Sequence, residues 1–142
     1  MLPALFSTLH LLALGIGLGA VWSRGLALRR HDVDAVLRAD NWWGLAALLW
    51  LGTGLPRAFG TLEKGSAYYL ASTAFQLKMA LFIGVMLIEL WPMVTFIRWR
   101  IAISRGQAPD LTHIDTFARL NAVEVLGTLL IPFFASLTAR GW

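Results

Sequence analysis

Cysteine is absent from the 142 residues, so thiolate metal sites, disulfides and covalent c-type haem attachment are excluded. Charge is scarce as well. Only 14% of residues are charged, where a soluble domain carries about 25%. The net charge of +4 is sorted by loop rather than spread over a surface, so it is not a nucleic-acid signature. No basic n-region precedes the first apolar run, whose charges follow it; the segment reads as an uncleaved anchor rather than a signal peptide. The glycines of GIGLG (Gly15, Gly17, Gly19) neither follow a strand nor open a helix, which excludes a phosphate loop. No soluble domain, long linker or low-complexity segment is visible.

What is present is apolar: 58% of the chain is hydrophobic, gathered in four blocks at about 3–23, 42–59, 68–96 and 117–139. A membrane-crossing helix needs roughly 20 mostly apolar residues. The expected fold is therefore all-α, a four-helix transmembrane bundle forming a single integral membrane domain over residues 1–142. Arg24, Arg29, Arg30 and Arg38 lie between the first two blocks, and Arg98, Arg100, Arg105 and Arg119 between the last two, against Arg57, Lys64 and Arg140 on the other side. That bias places both arginine-rich loops inside and both termini outside, on the periplasmic side if the membrane is the inner membrane of a bacterium. The segment 24–41 reads as a polar loop that can form a short surface helix leading into Trp42, and 60–66 as a short outer turn. Trp22, Trp42, Trp43, Trp91 and Trp99 read as an interfacial belt. Gly15 and Gly19 have the spacing of a close-packing helix face. Thr112 or Asp115 is the expected cap of the last helix.

A few polar residues fall inside these blocks. Lys78 lies near the middle of the third, where a cation costs on the order of 2.5–3.5 kcal/mol on insertion scales. His10 is the only histidine in an apolar segment. Successive helical residues are about 100° apart. His10, Leu14, Gly17, Val21 and Arg24 then share a face, as do Lys78, Phe82, Val85 and Glu89, and Asn121, Glu124 and Thr128. Rise places His10 roughly 10 Å and Lys78 roughly 15 Å below their outer ends, so an outer layer holds both. Glu89, Glu124, Asn121, Arg119 and Arg24 form an inner layer. Glu89 and Glu124 read either as proton acceptors on a path or as a structural tie to Arg24 and Arg119. Gly17, two turns below His10, leaves room beside the imidazole.

A neutral imidazole and a neutral amine each offer one lone pair. On facing helices they suit a haem iron, with His10 the axial ligand and Lys78 either the second ligand or a charged clamp for an anion. These residues also carry a resemblance. FSTLHLLALGIGLGAVW and AFQLKMALFIGVMLI look like the corresponding helices of HemJ-type protoporphyrinogen oxidases, four-helix bacterial membrane proteins. The resemblance implies haem b binding, with His10 and Lys78 as ligands and oxidation of a porphyrinogen. In the last helix that family's arginine, Asn-Glu pair and proline are met in part by Arg119, Asn121, Glu124 and Pro132. WWGLAALLWLGTGLPRAFGTLEKGSAYYL and LIELWPMVTFIRWR are closer to an uncharacterised family of small bacterial membrane proteins.

The sequence thus supports a b-type haem membrane protein acting on a porphyrinogen or quinol. Glu89 and Glu124 are its catalytic candidates, and His10, Lys78, Gly17, Arg119 and Asn121 line the cofactor. The alternative is a small transporter or assembly subunit held together by intramembrane ion pairs. Either stands in a lipid bilayer, as a homodimer or within a larger complex, with no nucleic-acid partner.

Overall fold

The computed structural model of the chain describes residues 1–59 and 70–140, at 58 and 59 the backbone only. Four helices follow in order: α1 (Leu2–Arg29), α2 (Val33–Phe59), α3 (Thr73–Ser104) and α4 (Ile114–Ala139). There is no strand among the described residues. The expected outer turn at 60–66 and residues 68 and 69 of the third expected span lie outside the described residues.

Local chemistry sets the boundaries. Pro3 sits in the first turn of α1, where its missing N–H is no loss. His31 takes a left-handed φ of 55° and stops the helix. Asp32 then accepts from the Ala35 amide at 3.0 Å, capping α2. The Ser72 hydroxyl accepts from the Phe75 amide and caps α3. Gly106, with φ of 69°, closes α3 in a turn where Gln107 N–H reaches Ala102 O at 2.9 Å. Neither Thr112 nor Asp115 caps α4. Its cap position is His113, with no side-chain bond; Thr112 turns back to Asp110 and Asp115 reaches His31 at 3.2 Å.

The helices pair as two antiparallel hairpins, α1 with α2 and α3 with α4, and α1 packs on α4 to join them. The polar segment 24–41 is not a loop with a separate surface helix: the two long helices run through it, and only residues 30–32 separate α1 from α2. Arg24 therefore lies within the bundle. Its guanidinium can be carried there because partners on the other three helices satisfy it, as described below.

The outer faces of α1, α3 and α4 are apolar. Leu11, Leu12, Leu87, Leu126, Leu129 and Phe133 are all exposed. A water-soluble bundle would put polar residues there. Among the described residues these three helices are long and apolar enough to cross a membrane. α2, which holds the expected second span at 42–59, is not one of them: charges fill its first two turns, and Trp42, Trp43, Trp50, Pro56 and Arg57 make the remainder less apolar.

Two apolar clusters fill the interior. One, near the turns, holds Leu28, Val36, Phe96, Trp99, Ile114 and Phe117. The other holds Ala13, Ala20, Val21, Trp43, Trp50 and Val85. Trp22, Trp42 and Trp91 are exposed, as a belt requires, but Trp43 and Trp99 are only 2% exposed. They are core residues, not belt residues. The glycine expectation also changes. A side chain at Gly15 or Gly19 would meet open space, whereas one at Gly17 would stand 3.3 Å from Ala46 and Trp50. Gly17 is the contact glycine, and Trp50 fills the room expected beside His10.

Candidate functional site: a buried arginine–carboxylate cluster

Arg24 is the centre of the site and is 1% exposed. A guanidinium carries five N–H donors, and all five are used. Nε donates to Asn121 Oδ1 at 2.8 Å. Nη1 donates to Asp40 Oδ1 at 3.0 Å and to Glu89 Oε1 at 2.8 Å. Nη2 donates to Glu89 Oε2 at 2.7 Å and to Glu124 Oε2 at 2.6 Å. Glu89 is thus held by the two-pronged geometry that only arginine offers. The rings of Trp43 and Phe96 lie 5.4 and 5.7 Å from the guanidinium carbon, adding cation–π contact while excluding lipid.

Around this centre a second ring of bonds forms. Asn121 donates to Val21 O at 2.9 Å, which fixes its carbonyl toward Arg24. Arg100 on α3 donates to Asp40 Oδ2 at 2.9 Å, to Asn41 Oδ1 at 2.8 Å and to Leu37 O at 3.2 Å. Asp40 therefore bridges two arginines. The whole set contains three carboxylates and two guanidiniums, all four helices contributing. Glu124 is fully buried, and its Oε1 has no hydrogen-bond partner among the described residues; nor has the Thr128 hydroxyl, one turn further along α4.

Glu89, Glu124 and Asn121 meet here, as their shared faces require. Arg119 does not: it is exposed, because two residues before Asn121 is about 200° around the helix. Asp40 and Arg100 were missed as members, being counted as loop residues. A signal for Asp40 existed. Arg24 and Asp40 stand eight residues either side of Asp32, in the short turn, so an antiparallel hairpin sets them opposite each other.

At the other end of the bundle, His10 Nδ1 lies 2.8 Å from Thr53 Oγ1. The Thr53 hydroxyl donates its proton to Leu49 O at 2.6 Å. Thr53 must then accept at the histidine, so Nδ1 carries the hydrogen. Gly54 permits this approach, since a side chain there would stand 3.2 Å from His10 Cε1. Lys78, half-buried on α3, has its Nζ 4.7 Å from the centre of the Phe75 ring. That contact suits an ammonium.

Haem can be tested against these groups. An Nδ1–H held by a protein acceptor is the arrangement that orients an axial histidine, and the His10–Thr53 contact supplies it. Lys78 lies against the Phe75 ring, a contact that suits an anion clamp better than a second iron ligand. No group of three or more metal-ligating side chains occurs among the described residues.

The family comparison covers the chain almost end to end. Residues 2–142 match the family described as "Predicted membrane protein (DUF2214)". The chain belongs to that family and is a membrane protein of all-helical architecture. No curated protein and no solved structure matches it, and the HemJ-type resemblance gains no support from these comparisons.

Proposed function

We propose that this protein handles protons inside the membrane, as a small proton-linked transporter or the proton-carrying subunit of a membrane complex. One observation carries this reading: three buried or half-buried carboxylates face two guanidiniums, with a carboxylate oxygen of Glu124 left unpartnered among the described residues. The set is one negative charge in excess. A net charge in a medium of low dielectric is expensive, and one proton shared by Glu89 and Glu124 removes it. Arg24 holds the two carboxylates together, so gain or loss of that proton changes how α1, α3 and α4 are bound to one another. This is the alternating condition that a proton-linked device needs. The test is proton flux into vesicles containing the purified protein, driven by a potassium diffusion potential and read with an enclosed pH dye. Flux should exceed that of empty vesicles and fall at least tenfold in Glu124→Gln. Flux equal to that of empty vesicles in the wild type refutes the reading.

A second reading rests on His10. The Thr53 relay orients the imidazole for haem b, with Lys78 clamping a propionate. Bound haem would supply one-electron chemistry for a porphyrinogen or quinol, with Glu89 and Glu124 taking up protons. Protein purified from haem-replete bacteria should show a Soret band that His10→Ala removes and Thr53→Val weakens. Haem-free wild-type protein refutes this second reading and leaves the first intact.

A further inference from the structure

A second feature lies apart from the arginine cluster, at the turn between α3 and α4. It is a cavity of about 410 Å³, within the range of small-molecule sites. One wall is a single stripe of α3, in which Trp91, Thr95, Arg98 and Ala102 recur at helical spacing, and His113 and Phe117 of α4 face it. Trp91 packs against His113 and Phe117 with ring centres 5.4 and 5.1 Å away. The loop side is pinned: Trp99 Nε1–H donates to Asp110 O at 2.7 Å.

Besides Thr95 and His113, the lining carries two charged side chains of opposite sign, Arg98 and Asp110. Arg98 is exposed and pairs with no carboxylate among the described residues. The Asp110 carboxylate accepts only from the Thr112 hydroxyl and amide. Those bonds hold its carboxyl below the usual range, so it is an anion at every physiological pH. An exposed Trp91 and the nearby end of a helix long and apolar enough to cross a membrane suit a cavity at headgroup depth.

We propose that this cavity binds the headgroup of a zwitterionic phospholipid bearing a primary amine, its phosphate on Arg98 and its ammonium on Asp110. The aromatic wall takes the glycerol and the first methylenes. Choosing a primary over a quaternary amine follows from the carboxylate, which accepts N–H donors that a trimethylated amine lacks. An anionic lipid without an amine could still place its phosphate on Arg98 but would bring no cation to Asp110.

The test is native mass spectrometry of the protein in mild detergent with equal amounts of dioleoyl phosphatidylethanolamine, phosphatidylcholine and phosphatidylglycerol. The ethanolamine lipid should be retained at least fivefold over each of the others. Asp110→Asn keeps an acceptor for Thr112 and removes the charge; it should abolish that preference in protein that still folds, while phosphatidylcholine and phosphatidylglycerol are retained as in the wild type. Arg98→Gln should reduce retention of all three. A wild type that prefers phosphatidylglycerol, or that shows no preference, overturns the proposal. So does phosphoethanolamine alone competing as well as the intact lipid, which would assign the site to a soluble amine phosphate.

Discussion

Arg24 and Glu124, 100 positions apart in the chain, lie 2.6 Å from each other in the interior of the bundle. Through the same guanidinium Glu89 and Asp40 are bound, so one side chain ties α1 to every other helix. Removing one partner of a buried ion pair costs about 3–5 kcal/mol. Arg24→Gln should therefore lower the thermal midpoint in detergent more than any surface arginine replacement, with Arg119→Gln as the control. Arg24→Lys should recover little, since three ammonium hydrogens cannot serve five acceptors in this geometry. A midpoint for Arg24→Gln equal to that of Arg119→Gln would show that the cluster does not hold the bundle together.

Packing between α3 and α4 offers an independent test. A side chain at Gly127 would place its Cβ 2.6 Å from Val85 Cγ2. Gly127→Ala should destabilise the hairpin by about 1–3 kcal/mol. Combining it with Val85→Ala removes the collision, and the double variant should be more stable than Gly127→Ala alone. Additive losses in thermal denaturation would place the strain elsewhere.

The orientation in the membrane follows from the basic residues at the two ends. Arg24 is buried and no longer counts as a loop charge, yet Arg29, Arg30, Arg38, Arg98, Arg100, Arg105 and Arg119 still gather at one end. That end should face the cytoplasm. Single cysteines introduced at Ser66 and Ser104 should react with an impermeant maleimide from opposite sides of the membrane, Ser66 from outside in intact cells. Outside labelling at Ser104 reverses the orientation.

Acid should loosen the α3–α4 turn. The Asp110 carboxyl is lowered from an ordinary 3.8 by the Thr112 hydroxyl first and the Thr112 amide second. A lowered carboxyl contributes stability that is present above its unfolded value and lost as pH falls through its folded value. The carboxyl carbon signal of Asp110, followed by NMR, should titrate below 3.8, and Thr112→Ala should move its midpoint upward. An unchanged midpoint in Thr112→Ala would mean that the hydroxyl is not the cause.

Much of this arrangement was legible from residue types and spacing. Apolar length predicts four spans: four helices form, three of them long and apolar enough to cross a membrane, and Glu89, Asn121 and Glu124 were placed on inward faces by helical arithmetic alone. Arg24 was legible in part: its face and depth set it in an inner layer with Glu89 and Glu124, yet it also counted as a loop charge, because only the tertiary fold supplies three carboxylates and an amide to make it the centre. Asp40 and Arg100 were hidden for the same reason. Thr53 as the partner of His10 depends on how the α1–α2 hairpin folds back, which required knowing that the turn is only three residues long. Gly17 was misread because helical position says that space exists but not that Trp50 fills it.

The order in which the arginine cluster becomes available has a consequence for biogenesis. Arg24 leaves the ribosome first; Asp40, Glu89 and Glu124 follow 16, 65 and 100 residues later. Until the last of them is made, the guanidinium has no complete set of partners. During synthesis α1 must wait with Arg24 at the membrane surface or inside the insertion machinery. Its final depth is set only when α3 and α4 enter together, so the first helix to be translated is the last to be locked in place.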